Sequence, residues 1–144
     1  MDYLKSFAVS AAGMAVERTR VEVAAMNLAN ANTAQDPAAV GYRPLRVMAQ
    51  ATPAASFGSL VDNGLGETAL PVATVEPMPV APRLAQEPGH PLANEQGLVA
   101  YPGVDTATEM VSMMSATRAY EANVAALNTA RTLALKTLEI GRGS

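Results

Sequence analysis

His90, the only histidine in the chain, is its one imidazole, a side chain suited to general-base chemistry near neutral pH and to metal ligation. Pro91 follows it, and the nearest carboxylates are Glu87 and Glu95. One imidazole with scattered carboxylates is a poor donor set for a metal ion. The reading that fits these residues is a solvated or turn-bonded histidine in a proline-rich loop. A hydrolytic triad is unsupported for the same reason, since its only available base is in that loop. Cysteine is absent, which excludes disulfides and thiolate metal sites. Gly64-Leu65-Gly66 lacks the third glycine and the following helix of a phosphate-binding loop. No carboxylate pair is placed to divide acid from base duty. The residues therefore point away from an enzyme, with no catalytic residue, cofactor, metal or small-molecule substrate expected.

What the chain does carry is two long apolar-periodic segments, one at each end. Leu4, Phe7, Ala11, Met14, Arg18, Val21, Ala25 and Leu28 follow an alternating three-four spacing. Met110, Met113, Thr117, Tyr120, Val124, Leu127, Arg131, Ala134 and Leu138 do the same. Such a narrow stripe is the seam of a coiled coil and needs another helix against it. The first helix is expected from Asp2 to Asn30, about 40 Å at about 1.5 Å per residue. Asn27, Asn30 and Asn32 should loosen its end, because their amides compete for helical hydrogen bonds. Asp36-Pro37 should stop it. The second helix opens on an expected capping box, Thr106-Ala107-Thr108-Glu109, and its pattern ends at Gly141. Lys136 and Arg142 lie near its negative end. Arg18 and Arg131 interrupt the stripes, either as packed stems with solvated heads or as partners of carboxylates on a neighbouring helix. An antiparallel pairing that sets Leu28 near Met110 would bring Arg18 level with Tyr120 and Glu121.

Between the helices, residues 43–104 hold nine of the ten prolines. Partial alternation over Tyr42–Gln50 and Val72–Glu76 predicts short strands, with Asp62-Asn63-Gly64 as a turn between them. Five prolines over Glu76–Pro91 argue against a central strand there. The fold class expected is mainly α: terminal helices over residues 1–33 and 105–144 pairing as a coiled coil, and an irregular β-hairpin and Pro-rich segment over 34–104. The apolar content of 49% is supplied chiefly by alanine, with two Phe, four Tyr and no Trp. Such a chain forms helices easily but builds only a thin core, so neighbouring subunits should supply much of its stability. A net charge of −3 and the absence of a basic cluster argue against a nucleic-acid partner. No run of about 18 apolar residues is available to span a membrane. Asp2 and Lys5 interrupt the N-terminus where a signal peptide would need an apolar run. A cytoplasmic helical adaptor or export chaperone is the alternative to a polymer subunit.

Four strings carry a resemblance. Asn27-Leu28-Ala29-Asn30-Ala31-Asn32-Thr33, followed by Gly41-Tyr42-Arg43, resembles the N-terminal signature of the flagellar rod and hook proteins. The interposed residues Ala34 to Val40 resemble an interruption found in a proximal-rod member. The stretch from His90 to Pro102 resembles that member's segment before the last helix, with Gly103 standing where the resemblance implies an asparagine. Glu109-Met110-Val111, Arg118 to Asn123 and Leu127 to Ala130 resemble the shared C-terminal rod helix. The resemblance implies a non-enzymatic subunit of the bacterial flagellum basal body, in the periplasmic rod that passes motor torque to the hook. It implies leaderless export by the flagellar type III apparatus. Implied partners are other rod subunits, copies of this chain, and export-gate and MS-ring-side components. Packing roles are expected for Leu4, Phe7, Met14, Val21, Leu28, Met110, Met113, Tyr120, Val124, Leu127 and Leu138. The signature residues are Asn27, Leu28, Ala29, Asn30, Gly41, Tyr42 and Arg43.

Overall fold

Among the described residues, two helices and four short strands make up the regular structure. The computed structural model describes residues 3–51 and 70–142. The turn expected at Asp62-Asn63-Gly64 and the pair Gly64 and Gly66 lie outside the described residues. Helix α1 spans Tyr3–Asn30 (28 residues) and α2 spans Thr106–Arg142 (37 residues). Strands β1 (Leu45–Ala51) and β2 (Pro71–Pro77) form one two-stranded sheet, and β3 (Arg83–Gln86) and β4 (Leu98–Tyr101) form another. The fold is mainly α, as the terminal periodicities predict. Strands β1 and β2 fall where alternation places them. Strand β3 lies within the proline-rich stretch that argues against a central strand. It is accommodated because a two-stranded sheet has only edges and because residues 83–86 contain no proline.

The start of α2 differs from expectation. Asp105, not Thr106, caps the helix. Its Oδ1 accepts from the Ala107 N–H (3.1 Å) and its Oδ2 from the Thr108 hydroxyl (2.7 Å). The Glu109 N–H donates to the Asp105 carbonyl (3.0 Å), and the Glu109 carboxylate turns away to Asn27. The capping box does not form, because an aspartate one residue earlier meets the same orphan amides and frees Glu109. The Thr108 hydroxyl, with the backbone N–H groups of Ala107 and Thr108, holds the Asp105 pKa below its ordinary 3.8. The stabilisation from this carboxylate is full above pH 3.8 and is lost as pH falls through the lower folded value. Asp105→Ala should therefore melt earlier than wild type at pH 6, with the gap narrowing toward pH 2. Coincident melting curves at pH 6 would remove Asp105 as the cap. At the other end, α2 runs through Gly141 to Arg142.

Helix α1 ends at Asn30 without help from Asp36-Pro37. The Asn30 Nδ2 donates to the Met26 carbonyl (2.8 Å) and the Thr33 N–H to the Asn30 carbonyl (3.0 Å). Asp36 instead starts a turn of its own, its Oδ1 accepting from the Ala38 N–H (2.8 Å).

The chain divides into two compact units. The first holds the described residues of Met1–Thr19, Ala49–Thr74 and Ala116–Ser144, and the second those of Arg20–Met48 and Val75–Ser115. In the first, Val16 and Ala116 are buried, and Gly13 faces the Asn123 amide so closely that an added Cβ would lie 3.0 Å from it. In the second, the buried residues are Val23, Ala24, Asn27, Ala31, Pro44, Gly97, Val99, Ala100 and Pro102. Strands β3 and β4 are antiparallel, with Arg83 opposite Tyr101 and Gln86 opposite Leu98. On the other side of β4, the Gln35 N–H donates to the Ala100 carbonyl (2.8 Å) and the Ala100 N–H to the Gln35 carbonyl (3.0 Å). Strand β4 is thus flanked on both edges, which is why Val99 and Ala100 are buried.

The loop joining β3 to β4 is held by Asn94, whose Oδ1 accepts from the N–H groups of Gln96 (3.0 Å) and Leu98 (2.9 Å). Gly97 has φ 75°, and a Cβ there would approach the Pro88 Cβ to 3.0 Å. Gly97→Ala should cost about 1–3 kcal/mol in urea denaturation. Gly89→Ala, which has nothing within 4 Å of the new Cβ, should stay within about 0.5 kcal/mol of wild type.

Candidate functional site

Asn27, fully buried in the second unit, makes four side-chain hydrogen bonds. Its Oδ1 accepts from the Tyr42 hydroxyl (2.8 Å) and from the Leu45 N–H (2.9 Å). Its Nδ2 donates to the Leu45 carbonyl (2.8 Å) and to the Glu109 Oε1 (2.9 Å). A carboxamide offers two lone pairs and two N–H groups, and all four are used. Asn27 therefore ties the last turns of α1 to the start of β1 and to the first turn of α2. Sequence reasoning assigned it to loosening the helix end. Burial reverses that role, because its amide has distant partners and no need to compete for helical carbonyls. One signal could have exposed this: Asn27 lies three residues past Ala24 and four before Ala31, on the same buried line.

Tyr42 is held to this amide through its hydroxyl, and its pKa is raised above 10.0, first by burial and then by the negative charge of Glu109. The neutral phenol stabilises the fold fully below pH 10, and that contribution is lost as pH rises through the higher folded value. The structure brings together Asn27 and Tyr42 of the signature residues. Leu28 is half-buried, and Gly41 is half-buried against the Gln35 side chain. Asn30 bonds back within α1, while Ala29 and Arg43 are exposed. Glu109 and the Leu45 backbone complete the node, and no spacing rule pointed to either.

The residues expected to pack along the two stripes separate into two groups. Leu4 is 79% exposed, Met110 56%, Leu138 64% and Tyr120 39%. Phe7, Met14, Val21, Leu28, Met113, Val124 and Leu127 are half-buried. The fully buried positions of α1 lie on a neighbouring line, Val16 in the first unit and Val23, Ala24 and Asn27 in the second. Additional apolar side chains face outward on α2, among them Val111, Met114, Leu133, Leu135 and Ile140. His90 is turn-bonded, its Nδ1 accepting from the Leu92 N–H at 3.1 Å. Among the described residues, no helix is long and apolar enough to cross a membrane.

Residues 95–140 match the family model of the flagellar basal body rod FlgEFG protein C-terminal region. The chain is 38% identical to the flagellar basal-body rod protein FlgC of Salmonella typhimurium, over 99% of this chain and all of that protein. The chain belongs to the FlgC family of flagellar basal-body rod proteins. Its likeness to the FlgC proteins of Bacillus subtilis (34% identity) and Borreliella burgdorferi (30%) likewise covers 99% of this chain and the whole of each relative. For this rod-family chain the matched C-terminal region takes in most of α2 together with β4 and the loop before it.

Proposed function

We propose that this chain is a structural subunit of the proximal rod of the flagellar basal body. Its terminal helices complete their packing against neighbouring subunits, and the resulting helical tube carries torque from motor to hook. The observation that carries this reading is the apolar surface left on the terminal helices, from Leu4 (79% exposed) on α1 to Leu138 (64%) and Ile140 (76%) on α2. A monomer has no reason to leave such residues in water along both of its longest elements, whereas a subunit interface buries them. A head-to-tail contact that does not close generates a helical filament.

The packing residues are those of the two stripes, with no chemistry assigned to them. Residues 1–33 and 105–144 serve as the assembling helices and 34–104 as the segment between. Partners are copies of this chain and other rod subunits, together with export-gate and MS-ring-side components. Delivery is by the flagellar type III apparatus without leader cleavage. Far-UV circular dichroism with sedimentation over a concentration series tests the reading. Helicity should rise as the protein polymerises or meets other rod subunits. A highly helical globule indifferent to concentration would favour a self-contained adaptor or chaperone.

A further inference from the structure

Gly103 lies between β4 and α2, and the backbone of the Pro-rich arm passes directly over it. A Cβ built at Gly103 would lie 2.5 Å from the Ala81 carbonyl oxygen and 2.6 Å from the Val80 Cγ1. Contacts under about 3 Å cannot stand, and one of these two is to backbone, which cannot rotate aside. At its base the arm is held by a backbone bond from the Met78 N–H to the Pro44 carbonyl (2.7 Å), and it turns tightly where the Val80 N–H donates to the Met78 carbonyl (2.9 Å). A matching tight turn lies beneath it, where the Val104 N–H donates to the Pro102 carbonyl (2.8 Å). The Ala81 carbonyl and the Val80 side chain of the upper turn both lie against the bare Cα of Gly103.

We infer that Gly103 is the docking point of a clasp: the arm Met78–Pro82 closes onto residues 102–104 only because residue 103 has no Cβ. The closed arm lines a groove of about 550 Å³ together with the loop at Pro37–Gly41, Ala100 and Pro102. That groove is shaped within the single chain, by contacts that need no neighbour. It is a preorganised surface, whereas the apolar faces of the terminal helices are completed by partners. The clasp does not depend on the rod assignment.

The test is hydrogen exchange by mass spectrometry on the full chain, read on peptides covering residues 76–84. In wild type these amides should be protected in the unassembled protein. Gly103→Ala should lower that protection about tenfold while Gly89→Ala leaves it unchanged. A second experiment separates the clasp from general damage. Residues 79–82 are replaced by glycine and serine, and Gly103→Ala is measured in both backgrounds by urea denaturation. The clasp predicts that the substitution is destabilising in the native arm and close to neutral in the flexible one. Unchanged protection in Gly103→Ala, or an equal loss of stability in both backgrounds, overturns the inference.

Discussion

Asn27→Leu should destabilise the protein by about 4 kcal/mol, a large fraction of the stability of a domain this size. The substitution removes four hydrogen bonds at once. It leaves the part-buried Leu45 N–H and carbonyl without the Asn27 amide and sets the Glu109 carboxylate against an apolar side chain. Each stranded group costs about 1–3 kcal/mol, and the network makes the sum less than additive. Asn27→Asp is the sharper probe, because its shape is unchanged. An oxygen then stands where Nδ2 faced the Leu45 carbonyl and Glu109, converting two attractions into repulsions. Adding Glu109→Gln supplies a donor toward the new carboxylate and should recover about 1–2 kcal/mol in a double-mutant cycle. Urea denaturation followed by circular dichroism reads both effects. An Asn27→Leu protein within 1 kcal/mol of wild type, or no coupling between the two sites, would mean that the node does not hold the second unit together.

The second large effect is on assembly. Leu138→Asp and Leu4→Asp place a carboxylate on side chains that are 64% and 79% exposed in the single chain. The isolated subunit should therefore lose no more than about 0.5 kcal/mol. In a subunit interface the same carboxylate would be buried without a partner, which is incompatible with assembly. Cells carrying Leu138→Asp should make the subunit at normal level and fail to swim in soft agar. Val124→Asp and Leu127→Asp should also abolish swimming, but these side chains are half-buried within the chain, so their loss mixes folding with assembly. Wild-type swimming in the Leu138→Asp strain would count decisively against a role for this stripe in rod building.

Residue types and their spacing were enough to locate both helices and the strands β1 and β2. These are local properties: a three-four period or an alternating run acts over a few residues and needs no distant partner. The same local view misplaced the cap of α2, because Asp105 and Thr106 are both competent caps and only the fold shows which amides are left to satisfy. It excluded only a central strand over Glu76–Pro91 and did not pick out the edge strand at Arg83–Gln86, since four residues after a proline become a strand only when β4 lies beside them.

Asn27 marks the boundary most clearly. Its partners lie 15, 18 and 82 positions away along the chain. Its spacing from Ala24 and Ala31 puts Asn27 on their helix face, but spacing does not say which distant segments it will join. That choice depends on which polar groups the tertiary fold buries beside it, since buried amides must be satisfied and exposed ones need not be. The clasp at Gly103 has the same origin, because only the fold brings residue 81 over residue 103. By itself the sequence determined two long terminal helices around a proline-rich middle, through periodicity that any short segment expresses. The tertiary structure alone decided which polar side chains stitch that middle to the helices, because those contacts join residues the chain keeps far apart.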